Sequence, residues 1–239
     1  MIIKVNGMRS MQNIRAVTEL GIKHIGLVFQ KESPRNVTMI PTHAGIIPDR
    51  VKTNPSSSAT PNAYTSSRTI TKIGIFSDEM AQNIITRAVN FRLNMIQFDG
   101  EEQPTLIRNL RRTLAPSFYG GQSETRPISA DIKFIKTIRI SKVEDIEVWK
   151  KYDDCIDYFL FDAAGNNADC SNNKLNLRLL ESYNGQKPFY IGGISIDDSE
   201  RIKSLSHPQF VGIDLGTPFE SEPGVIDVSV LKEFLSAIS

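Results

Sequence analysis

Cysteine, histidine and net charge are all scarce in this chain, and each scarcity closes off a class of function. The 239 residues include two cysteines, Cys155 and Cys170, and three histidines, His24, His43 and His207. That is too few cysteines for a disulfide framework or a Cys-rich zinc site, and the histidines show no ligand spacing, so no metal is expected. Lys plus Arg total 28 against 27 for Asp plus Glu, a formal net charge of +1. Such a balance offers no general attraction to nucleic acid or to an anionic membrane surface. No run approaches the roughly 18 apolar residues of a membrane span. The opening Met-Ile-Ile-Lys-Val-Asn-Gly is too short in apolar length for a signal peptide. A cytoplasmic protein with reduced thiols is expected.

What is present is material for a large core, with 40% of residues hydrophobic and 12 of them Phe. Short apolar runs recur at Ile2–Val5, Ile25–Phe29, Lys72–Phe76, Met95–Phe98, Phe134–Thr137, Tyr158–Phe161, Phe189–Ile191 and Phe210–Asp214. Runs that are apolar throughout suit strands buried on both faces. Between them lie stretches with helical spacing: Met11–Leu20, Met80–Phe91, Thr105–Leu114, Val143–Lys151, Leu175–Tyr183, Asp197–Leu205 and Val228–Ile238. Gly21 suits a helix C-terminus, and Ser195 and Asp227 stand at N-cap positions. This alternation predicts βα units around a parallel sheet, either closed as a barrel or open and doubly wound. Two segments break the rhythm. Residues 41–69, with Pro-Ser-Ser-Ser-Ala-Thr-Pro-Asn, read as a long flexible insertion after the second strand, and residues 116–127 as a second mobile loop. Neither needs a domain of its own, so one domain over 1–239 is expected.

The motifs are more specific than the pattern. Met1–Arg9 (MIIKVNGMR), Gly26–Val37 (GLVFQKESPRNV), Lys72–Glu79 (KIGIFSDE), Ile96–Glu102 (IQFDGEE), Tyr158–Asp162 (YFLFD), Tyr190–Ile194 (YIGGI) and Gly212–Val225 (GIDLGTPFESEPGV) resemble, in order, the strand ends of the phosphoribosylanthranilate isomerase family. The resemblance covers most of the chain outside the two loops. It implies a single (β/α)₈ barrel, whose chemistry sits at the C-terminal ends of the strands. It also implies an Amadori-type isomerisation of phosphoribosylanthranilate in tryptophan biosynthesis, without a cofactor. In the family an Asp protonates the ribose ring oxygen and a Cys thiolate then removes the C2′ proton. Carried onto this sequence, the acid is Asp162. Arg35 faces the anthranilate carboxylate, Asp214 lies beside the substrate, and Gly192, Gly193, Gly216 and Thr217 cradle its phosphate. A small phosphorylated ligand is the implied partner, with the chain a monomer or homodimer.

The chain departs from that pattern where the chemistry is done. The thiolate position is Asn6, and a carboxamide has no usable proton-accepting pKa. Losing a general base typically lowers a rate by about 10²–10⁴. The family's Gln-Leu-His-Gly is here Gln97-Phe98-Asp99-Gly100, and the loop after the acid, Ala163–Asn173, lacks the family's paired glycines. Asp99 and Cys170 are the candidate substitute bases, Asp99 by pairing with Asp162 so that mutual repulsion separates an acid from a base. Two readings follow: an impaired isomerase, or a degenerate paralogue that binds a phosphorylated ligand, or acts on another phosphosugar, without isomerase activity.

Overall fold

The computed structural model describes residues 1–38, 70–115, 132–164 and 175–239. The expected insertion at 41–69, the loop at 116–127, His43 and Cys170 lie outside the described residues.

Eight strands pair in chain order and the last returns to the first, closing a barrel. They are β1 Ile2–Val5, β2 His24–Val28, β3 Thr71–Phe76, β4 Met95–Phe98, β5 Lys133–Ile140, β6 Tyr158–Ala163, β7 Phe189–Ile191 and β8 Phe210–Leu215. Every neighbouring pair is parallel, and the seam matches Ile2 to Gly212 and Val5 to Leu215. The open doubly wound alternative is thereby excluded.

The apolar runs are double-sided because one face meets the helices and the other fills the cylinder. Inside, Ile73, Met95, Ile135, Leu160 and Tyr190 form a closed plug. Outside, residues such as Ile25, Ile96, Phe134, Phe159 and Phe189 pack with helix residues Ile14, Ile84, Ile107 and Phe234. The plug fills the lower barrel, and a cavity at the C-terminal end of the strands lies above it.

Four helices match their sequence spacing closely: α1 Met11–Glu19, α2 Ala81–Phe91, α3 Pro104–Thr113 and, at the end of the chain, Val228–Ile238. Ser10 caps α1 through its hydroxyl, Gly21 follows its end at φ +95°, and Asp227 caps the final helix at Ser229 and Val230. The other three expected helices are tighter and shorter. Val143–Lys151 is α4 Val143–Ile146 followed by a 3-10 helix over Glu147–Lys151. Leu175–Tyr183 contains only a 3-10 helix, Leu177–Ser182, and Asp197–Leu205 is a 3-10 turn, Ile196–Asp198, leading into α5 Ser199–Ser204. These segments are too brief to sustain a full i→i+4 ladder, and their carboxylates tighten the first turn: Asp145 accepts from Ser141 and Lys142, and Asp198 from Ser195. The final helix is α6.

Beyond β8 the chain forms a small antiparallel hairpin, β9 Glu220–Glu222 with β10 Val225–Ile226. Asn13 of α1 clamps it, donating to Ile226 O and accepting from Ile226 N–H at 2.8 and 2.9 Å. One buried ion pair lies between barrel and helices, where Lys136 of β5 meets Glu102 at 3.0 Å. The Lys136 ammonium also donates to the carbonyls of Phe98 and Gly100, which fixes the turn carrying Asp99. Among the described residues no helix is long and apolar enough to cross a membrane, and no group of three or more His, Cys, Asp or Glu is placed to hold a metal.

Candidate active site

Residues alternate inward and outward along each strand, so inward polar residues at the upper strand ends share one space. Asn6, Gln97, Asp99, Arg139, Asp162 and Asp214 are the polar groups that strand pattern delivers to a cavity of about 370 Å³ at the C-terminal end of the barrel.

At the seam, Lys4 Nζ donates to Asn6 Oδ1 at 2.6 Å and to Asp214 Oδ2 at 2.9 Å, while Asn6 Nδ2 donates to the same Asp214 oxygen at 2.6 Å. Lys4 and Asp214 are both buried, with side chains 1% and 4% exposed. Burial pushes the Asp214 carboxyl up to about 6; Lys4 opposes the rise, and the charges of Asp162 and Asp99 add to it. Gly26 on β2 makes the arrangement possible, because a side-chain carbon there would collide with Asn6 Oδ1.

Across the cavity, Asp162 closes β6. Removal from water raises its pKa; its bond from the Ala163 N–H, 2.8 Å, works against the rise, and the Asp99 charge works with it. Gly192 gives it room, since a Cβ there would stand 3.0 Å from the Asp162 carboxyl carbon. Asp99 sits two strands away, and Arg139 on the intervening β5 donates to its Oδ2 and to its backbone carbonyl, both at 2.7 Å. Burial works against the Arg139 charge, but Asp99 outweighs it and the guanidinium pKa rises. Gln97 approaches the other Asp99 oxygen at 3.2 Å. Both oxygens of Asp99 are therefore engaged.

Arg35 lies at the rim. Its Nε donates to both Glu220 oxygens, at 2.7 and 3.0 Å, and its Nη2 reaches Thr217 Oγ1 at 3.3 Å. Gly7, at φ +76°, lets this pair pack down, because a Cβ there would lie 2.7 Å from Arg35 Cδ. Arg9 Nη1 donates to Pro34 O at 2.7 Å and ties the Arg35 loop to the first strand.

The paired glycines differ in what they offer. The Gly192 N–H donates to Phe161 O at 2.8 Å, so that residue supplies space rather than a donor. Gly193, at φ +64°, and Gly216 and Thr217 follow their strands with no backbone acceptor for their N–H groups among the described residues. All four line the same cavity.

Asn6, Arg35, Asp99, Asp162, Gly192, Gly193, Asp214, Gly216 and Thr217 thus line one space, while Cys170 lies outside the described residues. Reading the sequence missed Lys4, Arg139 and Glu220. The other cysteine, Cys155, is no reserve thiolate: it is buried, and desolvation raises its pKa to about 11.

No family model matches the chain. A curated relative named N-(5′-phosphoribosyl)anthranilate isomerase, from Parabacteroides distasonis, is 33% identical over 239 residues, covering 100% of this chain and 93% of the relative. Among solved structures, phosphoribosyl anthranilate isomerase from Thermus thermophilus superposes with a TM-score of 0.71 at 18% identity, covering 100% of both chains. A phosphoribosyl anthranilate isomerase in complex with reduced 1-(o-carboxyphenylamino)-1-deoxyribulose 5-phosphate gives 0.67 at 20% identity, covering 100% of this chain and 98% of that one.

Proposed function

The chain belongs to the phosphoribosylanthranilate isomerase family, and from that premise we propose that it isomerises N-(5′-phosphoribosyl)anthranilate to its ribulose form at the barrel mouth. The observation that carries this reading is the Asp162 carboxyl, half-buried and raised in pKa, facing Asn6 and Asp214 across one cavity. A carboxyl that keeps its proton nearer neutrality is suited to general acid work. Asp162 donates a proton to the ribose ring oxygen, the ring C–O bond breaks, and the anilino nitrogen's lone pair forms the C1′=N bond. Loss of the C2′ proton then gives an enolamine, which becomes the ketone by protonation at C1′ and loss of the hydroxyl proton. Arg35 faces the anthranilate carboxylate, a task that suits a guanidinium fork. The N–H groups of Gly193, Gly216 and Thr217 take the phosphate, with Gly192 keeping the approach open.

Because Asn6 accepts no proton, turnover falls below that of a thiolate-bearing relative. The locked carboxamide of Asn6, bonded at both ends, favours a second reading, a barrel that binds the phosphorylated ligand and does not isomerise it. One experiment separates them. Turnover of N-(5′-phosphoribosyl)anthranilate by the full-length protein is measured beside Asp162→Asn. Catalysis that drops about 10²–10⁴-fold in the variant supports the isomerase. Binding of the reduced product analogue with no turnover above the uncatalysed rate selects the second reading.

A further inference from the structure

Asp214 has one carboxylate oxygen held and one not. Oδ2 accepts from both Lys4 and Asn6, whereas Oδ1 is buried and, among the described residues, takes no hydrogen bond. A buried acceptor left without a donor is uncommon in a folded protein and calls for a reason. The residue lines the cavity with its side chain 4% exposed, so its carboxylate borders the space a ligand would occupy. Asn6, at the position of the family's thiolate, uses both ends of its carboxamide on this cluster and so has its orientation fixed.

We propose that Asp214 is the general base of this barrel, its Oδ1 taking the C2′ proton, with Lys4 and Asn6 as positioning residues that hold the carboxylate ionised and aimed. The assignment rests on the isomerase reading above. In the step, the C2′–H bond breaks and the proton forms a bond to Asp214 Oδ1. The C–H electron pair becomes the C1′=C2′ bond, and the π pair of the protonated imine returns to nitrogen. The proton leaves Asp214 when the enolamine becomes the ketone, so no oxidant or reductant enters. The charged and titratable groups facing Asp214 are Lys4 on β1, Asp99 just after β4, Asp162 on β6 and Tyr190 on β7. Burial lifts Asp214 to about 6, a useful basicity for a carboxylate at neutral pH.

The test uses the full-length protein with N-(5′-phosphoribosyl)anthranilate as substrate and the reduced product analogue as binding probe. Asp214→Asn is expected to lower kcat by about 10²-fold or more while analogue affinity stays within about threefold. Because Asp214→Asn strands a buried ammonium, Lys4→Met/Asp214→Asn is run beside it; removing the whole pair spares the fold, and the same loss of kcat is expected. Asn6→Cys/Asp214→Asn is expected to recover turnover by returning a thiol to the mouth. Asn6→Ala is expected to lower kcat more than it raises KM and to move the acidic limb of kcat/KM to higher pH, since a donor to the Asp214 charge is gone. Turnover of the double neutral variant within about threefold of wild type overturns the assignment, as does loss of analogue affinity in step with kcat. A wild type without turnover overturns the isomerase reading itself, an outcome distinct from both.

Discussion

Asn6 and Gly26 share one volume inside the barrel: the carboxamide oxygen of the first occupies the space that a methyl group on the second would need. Gly26 is thus the counterpart that lets Asn6 reach both Lys4 and Asp214. Gly26→Ala is expected to rotate the carboxamide off its partners and destabilise the protein by about 1–3 kcal/mol. Turnover should fall further than folding alone explains. Denaturant melts alongside kcat measured well below the midpoint check this; an unchanged kcat would show that the orientation of Asn6 is immaterial.

The strands were largely legible because a barrel wall imposes a simple rule on composition. Ile2–Val5, Met95–Phe98, Phe189–Ile191 and the helix Val228–Ile238 have the same limits in sequence and structure, since each apolar or amphipathic run ends sharply at a polar or turn residue. Asn6, Asp99, Asp162 and Asp214 were legible through the family resemblance, and all four line one cavity because they lie at the C-terminal ends of barrel strands. What escaped depends on distance along the chain. Lys4 reads locally as a solvated lysine, and only Asp214, 210 residues later, explains its burial. Arg139 was missed because the fifth strand was expected to stop at Thr137, whereas pairing with β6 carries it to Ile140 and sets Arg139 beside Asp162. Glu220 belongs to a hairpin too short for any periodic signal.

The Arg139–Asp99 pair tunes the acid without performing the chemistry. Asp99 raises the pKa of both Asp162 and Asp214 by like-charge repulsion. Removing its charge in Asp99→Asn lowers both, so the acidic limb, where Asp214 gains a proton, and the alkaline limb, where Asp162 loses one, move together toward acid. A displacement of up to about one pH unit in kcat/KM is expected, with the maximum within about tenfold of wild type. A profile that collapses instead of sliding would make Asp99 itself a participant.

At the rim, Arg35 is held by the two-pronged contact with Glu220. A lysine there keeps the charge and loses the fork. Arg35→Lys is expected to raise KM by roughly 10-fold or more with kcat little changed, the pattern of lost uniform binding. Steady-state kinetics over a range of substrate concentrations distinguishes this from a fall in kcat, which would assign Arg35 to the reacting centre.

The Lys136–Glu102 pair bears on stability. Its side chains are 4% and 0% exposed, and Glu102 also accepts from the N–H groups of Asp78 and Gly100. Lys136→Met leaves a buried carboxylate without its counter-ion, and a loss of about 3–5 kcal/mol is expected. Replacing both in Lys136→Met/Glu102→Gln should recover part of it. Chemical denaturation of the two variants provides the comparison.

The contact between Lys4 and Asp214 also bears on how the cylinder shuts. The two residues face each other directly across the β1–β8 seam, and a slip of the eighth strand by a single residue would turn Asp214 away from the lumen. Lys4 would then lose its counter-charge in a dehydrated interior, which is strongly unfavourable. The ion pair thus favours one alignment of the closing strands over its neighbours.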